Sequence, residues 1–119
     1  MTEAVNSFSP LKFFEYDHNP GNYCLMLSDV RMVDVSDVFE ADGHLGNGYD
    51  WTAVARSVVR SDVPELADRL GYDPEAGTFV AYGTDPEALR RLGGLLQDAF
   101  HDRAKLATLI RAADPDWFD

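Results

Sequence analysis

The sequence predicts an α+β fold: a small antiparallel sheet, made of an N-terminal hairpin plus a later strand, packed against about four helices. Three observations carry this. Two short aromatic-rich runs flank a cluster of turn formers near the N-terminus. Several later segments repeat apolar residues at three- and four-residue intervals. Between those segments stands one isolated apolar run, so no βαβ alternation is set up. The 119 residues, 45% of them hydrophobic, suit one domain spanning 1–119 around a single core.

The first two runs are Leu11 to Asp17 (LKFFEYD) and Asn22 to Asp29 (NYCLMLSD). His18-Asn19-Pro20-Gly21 between them is dense in turn residues, which predicts two antiparallel strands joined by a tight loop. Met32 to Phe39 (MVDVSDVF) begins with period 2 and is expected to form a third strand finishing in a turn. After the glycine-rich GHLGNGYDW (Gly43 to Trp51), Asp50 is placed to cap a helix. Its apolar face is Trp51, Val54, Ala55, Val58 and Val59.

Pro64 to Leu70 reads as a second short helix, with Asp62 and Glu65 in capping-box relation and Gly71 as its stop. Asp73-Pro74-Glu75-Ala76-Gly77 reads as a hairpin turn feeding a buried strand, Thr78 to Tyr82. Asp85 and Pro86 then have the positions of an N-cap and a first helical residue, ahead of Leu89, Leu92, Leu95, Leu96 and Phe100 on one face. A last helix carries Leu106, Leu109, Ile110 and Ala113 to Asp114-Pro115. Trp117-Phe118 follow, and invite a self-association reading.

The charge balance is strongly acidic: 21 acidic against 10 basic side chains, a net of −11. Such a surface repels phosphate backbones and anionic membranes and attracts basic proteins, so neither nucleic acid nor membrane is an expected partner. The lone Cys24 permits no internal disulfide, which fits a reducing compartment. No apolar run of about 18 residues occurs and no signal-peptide pattern opens the chain, so the expected location is the cytoplasm.

No motif organises catalysis or a cofactor. Gly43, Gly46 and Gly48 have the spacing GxxGxG with no lysine following, and Asp42 and Asp50 would repel a phosphate. Backbone freedom is the better reading of these glycines. His18, His44 and His101 fall in separate elements without an i,i+4 partner, and the calcium-loop imitation at Asp17, Asn19 and Gly21 fails at Asn22 and Ser28, so no metal site is expected. Cys24 lies among Leu25, Met26 and Leu27 and reads as a packed thiol. Asp73 and Glu75 flank Pro74 in a turn, where solvated carboxylates are the default. The expectation is a non-catalytic protein; the alternative is a small metal-dependent hydrolase or other small enzyme.

GNGYDW (Gly46 to Trp51), YDPEAGTFVAYG (Tyr72 to Gly83) and DPEALRRL (Asp85 to Leu92), preceded by FFEYD, resemble the Imm51 family of immunity proteins. The resemblance runs from about Phe13 to Ala113; the N-terminal MTEAVNSFSP and the loop Val33 to Asp42 depart from it. It implies an α+β fold and a protein of bacterial polymorphic toxin systems that binds and neutralises the toxin domain encoded with it. No interface residue is carried over.

A basic toxin, such as one that grips nucleic acid, would be met by acidic charge for steering and by aromatic anchors for affinity. The residues that fit are Asp42, His44, Tyr49, Asp50 and Trp51, with Asp73, Glu75 and Tyr82. Each also has a structural reading. Trp51 falls on an apolar helix face and Asp50 on a cap position, Tyr82 suits a buried strand or an exposed anchor, and the loop charges suit plain solvated surface.

Overall fold

The computed structural model describes residues 8–118. The fold is α+β, as the sequence predicts. Strands β1 (Lys12–Glu15), β2 (Tyr23–Ser28), β3 (Gly71–Tyr72) and β4 (Thr78–Gly83) form one antiparallel sheet of order β1-β2-β4-β3. Five α-helices accompany it among the described residues: α1 (Asp29–Met32), α2 (Ser36–Glu40), α3 (Gly48–Asp62), α4 (Pro86–His101) and α5 (Arg103–Ala112).

Strand alternation sorts the sheet into two faces. Leu25, Leu27, Phe79 and Ala81 are fully buried and join α3, α4 and α5 in one core that includes Trp51, Val54, Leu89, Leu92, Leu96 and Leu106. The other face carries Phe14, Cys24, Met26, Val80 and Tyr82, the last 45% exposed. Cys24 is buried there as a free thiol, as expected of a packed cysteine.

Met32 to Phe39 is helical where a strand was expected: α1, a 3₁₀ turn at Val33–Val35, and α2. The physical reason lies in the spacing of its apolar residues. Met32, Val35 and Phe39 recur at three and four residues and are all buried, whereas Val33, which alternation would also bury, is 65% exposed. Phe39 packs on Trp51, with ring centroids 5.5 Å apart.

Asp50 is not the N-cap of α3. That place belongs to Asn47, whose side chain accepts from the Asp50 N–H at 3.0 Å. Asp50 sits one turn in, and its buried carboxylate reaches back to accept from the N–H groups of Leu45 (2.9 Å) and Gly46 (2.7 Å). The arrangement extends a capping box by one residue and fixes the glycine-rich loop.

Pro64–Arg69 is a 3₁₀ helix, not an α-helix, and the Asp62–Glu65 capping pair does not form. Val63 holds the cap position, Glu65 pairs with Arg91, and Gly71 opens β3 instead of stopping a helix. Helix α4 matches its sequence reading, with the Asp85 carboxylate accepting from the N–H groups of Glu87 and Ala88 ahead of Pro86.

Candidate functional site

Two stretches far apart in sequence meet at the start of α3. The Gly48 N–H donates to the Ala76 carbonyl at 3.0 Å, fastening the glycine-rich loop to the β3–β4 hairpin. A Cβ at Gly48 would lie 1.9 Å from the Glu75 carbonyl oxygen and 2.4 Å from that of Thr78, so only glycine fits this approach. Gly46 has a different reason to be glycine, a φ of +80°. The glycines therefore supply backbone freedom and close contact, as their spacing suggests.

The tail completes the surface. A short 3₁₀ turn at Pro115–Trp117 folds back on α3, and the Phe118 ring stacks on His44, centroids 3.8 Å apart and planes 12° apart. Tyr49, 37% exposed, shares a hollow of about 380 Å³ with Thr52, Arg56, Tyr72, Pro74, Asp116, Trp117 and Phe118. Arg56, Tyr72 and Trp117 continue into a groove of about 520 Å³ walled by Val59, Arg60, Pro64, Ala67, Leu70 and Gly71.

Along α3 the residues facing this trough are Tyr49, Thr52, Arg56, Val59 and Arg60, one helical stripe in which three- and four-residue spacings recur. Arg56 lies over the rings of Tyr72 (5.7 Å) and Trp117 (5.9 Å), and Arg60 over Trp117 (4.7 Å). Arg60 also donates to the Ala112 carbonyl at 2.6 Å, tying α3 to the end of α5. Burial holds the Tyr72 hydroxyl protonated up to about 12, with the neighbouring Arg56 charge pulling the other way.

The residues singled out from the sequence divide into three groups. Asp42, His44 and Tyr49 come together beside Phe118, and Glu75 is exposed on the adjoining hairpin. Asp50 and Trp51 turn inward, 4% and 0% exposed, and hold the loop and core in place without presenting a surface to a partner. Tyr82 projects from the outer sheet face, where its ring covers Gly71. Asp73 and Tyr82 lie near Tyr16, whose hydroxyl is pushed up to about 12, chiefly by its hydrogen bond with Cys24 and then by burial.

Sequence reading passed over Arg56, Arg60 and Tyr72 as site residues and gave Trp117 only to self-association. One signal was present: two arginines at i,i+4 on the polar side of a helix, in a chain with twice as many acidic as basic residues. Among the described residues no group of three or more His, Cys, Asp or Glu side chains is placed to hold a metal ion. No helix among them is long and apolar enough to cross a membrane.

The trough combines planar aromatic surface with oriented guanidinium groups, and Asp116 lines its narrower end. These are residue types that dominate affinity and orientation in protein interfaces. Among curated proteins and among solved structures, none matches this chain. The family model described as immunity protein 51 matches residues 11–115. The match spans nearly the whole α+β fold, from the start of β1 to the tail turn, and so the chain belongs to the immunity protein 51 family, its function being that of an immunity protein against a toxin.

Proposed function

We propose that this protein neutralises a basic toxin domain, of the kind that grips a nucleic-acid backbone, by covering it with the surface around Tyr49 and Phe118. The carrying observation is that Asp42 and His44, lining one hollow, and Tyr49, lining the next, border the same Phe118 ring, in a chain of net charge −11. The acidic charge steers a cationic partner into place, and the aromatic surface supplies desolvated contact. Asp73 and Tyr82 lie toward the outer sheet face and add charge at the margin. The protein does this without a reaction of its own, and its place of action is the cytoplasm.

The test uses the full chain as bait in lysate of its own source, followed by purification of the captured toxin domain. Two quantities are then measured: toxin activity against added immunity protein, and association rate against ionic strength. Loss of activity at equimolar protein and an association rate falling about tenfold or more between low and high salt are expected. A bound toxin that keeps full activity overturns neutralisation, and a rate indifferent to salt removes the basic-partner reading.

A further inference from the structure

The wider end of the trough is lined by two arginines and no acidic residue, in a chain of net charge −11. Arg31, Arg69, Arg90, Arg91 and Arg103 each hold a carboxylate of this chain: Asp34, Asp85, Glu87, Glu65 and Asp37 respectively. Arg111 on α5 has no carboxylate partner among the described residues, and neither do Arg56 and Arg60, although the chain has acidic groups in excess. Arg56 and Arg60 stand one helical turn apart on α3 and lean on the same indole, Trp117.

Stacking on an aromatic face restrains a guanidinium while leaving its in-plane N–H groups free to donate. Arg60 spends one such donor on the Ala112 carbonyl; Arg56 spends none within the described chain. Beside this pair the groove is apolar, walled by Val59, Pro64 and Leu70, and at about 520 Å³ it has room for two or three side chains.

We propose that this groove receives a carboxylate-bearing, partly apolar peptide segment of the partner toxin: an Asp or Glu side chain on the Arg56–Arg60 pair, with an apolar neighbour against Val59, Pro64 and Leu70. The inference rests on the neutralisation reading and deepens it. A toxin that is basic elsewhere presents one acidic segment here, and the local reversal of charge fixes its orientation on the immunity protein, because the wrong way round sets carboxylate against carboxylate. Nucleic acid does not suit the groove, since its phosphates would also face a chain of net charge −11.

The probes are two peptides, acetyl-Leu-Glu-Trp-amide and acetyl-Leu-Gln-Trp-amide, titrated into the isotope-labelled full chain. The Trp117 indole N–H and the Arg56 and Arg60 Nε–H signals report binding. The Glu peptide shifts these signals and binds about fivefold more tightly than the Gln peptide, as an exposed ion pair allows. R56Q/R60Q abolishes that preference, and R56K/R60K, which keeps the charge, retains part of it; a cooperative thermal unfolding transition in each confirms that both variants are folded. Equal binding of the two peptides, or shifts confined to other residues, overturns the inference. So does an equal response of the same signals to inorganic phosphate. Toxin capture and inhibition proceed independently of this titration: a protein that neutralises its toxin but shows no Glu preference loses only the groove assignment. A protein that shows the preference but inhibits no toxin loses the neutralisation reading.

Discussion

The His44 imidazole lies flat on the Phe118 ring, 3.8 Å between centroids. This stack joins the glycine-rich loop to the chain's tail, and it borders the hollow that Tyr49 shares with Trp117. Replacing Phe118 by Ala removes the ring from both. Stability should fall by only about 1 kcal/mol, the scale of one aromatic pair, while affinity for the toxin should fall by a larger factor, about tenfold or more. Denaturant unfolding and equilibrium binding on the same variant separate the two effects; a binding loss no larger than the stability loss would place the interface elsewhere.

Trp51 is fully buried between Phe39 and Phe100, and its indole N–H has no hydrogen-bond partner among the described residues. Truncation to Ala should cost about 3–5 kcal/mol, a large share of the stability of a domain this size. Trp51→Phe should cost much less, because it keeps most of the ring volume and removes an unpaired buried donor. Urea midpoints for the two variants check this. Equal losses would contradict the assignment of Trp51 to packing.

Gly48→Ala sets helix propensity against steric fit. At the first position of α3 the extra methyl favours the helix by up to about 1 kcal/mol. It also drives a Cβ into two hairpin carbonyls and strains the Gly48–Ala76 hydrogen bond. The clash involves backbone on both sides and cannot relax through a rotamer, so net destabilisation of about 2–3 kcal/mol is expected. A variant as stable as the wild type, measured by urea unfolding, would mean that the loop and hairpin are not fastened this way.

Tyr72 gives the fold an alkaline limit. Its hydroxyl titrates near 10 in the unfolded chain and near 12 in the folded one, chiefly through burial. The raised value means that the folded state holds the proton more tightly. Its contribution is fully present below pH 10 and is lost as pH rises from 10 toward 12, amounting to about 2–3 kcal/mol in all. Tyr72→Phe, which keeps the ring under Arg56, should flatten the stability profile across that window. An identical slope in the two proteins would contradict it.

The N-terminal hairpin, the β3–β4 turn, the start of α4 and the apolar faces of α4 and α5 were legible because each is specified locally, by turn residues, by Asp85-Pro86, or by a long amphipathic repeat. Met32 to Phe39 was not. It satisfies period 2 at Val33 and Val35 and helical period at Met32, Val35 and Phe39, and only the position of Trp51 beneath it decides between them. The 3₁₀ form of Pro64–Arg69 is likewise set by what surrounds it, since its expected capping carboxylate at Glu65 is engaged by Arg91 from α4.

The same distinction runs through the candidate site. Asp42, His44 and Tyr49 were readable from one unusual loop. Arg56, Arg60, Tyr72 and Trp117 belong together because β3 and the tail both pack on α3, a juxtaposition that no short window of sequence contains. Asp50 and Trp51 lie in the readable loop but face the interior, and that orientation depends on a helix start at Asn47 that composition alone left at Asp50.

The sheet order has a bearing on how the chain acquires its shape. The central ladder aligns Tyr23 with Gly83 and Ser28 with Thr78, so β2 pairs first with its neighbour β1 and meets β4 only after α1, α2 and α3 have intervened. Contacts of such sequence separation are slow to form, because a long loop must close before any ladder bond is gained. During synthesis the β1–β2 hairpin therefore waits with one edge unpaired and the Leu25–Leu27 face uncovered, a state open to misassociation between nascent chains.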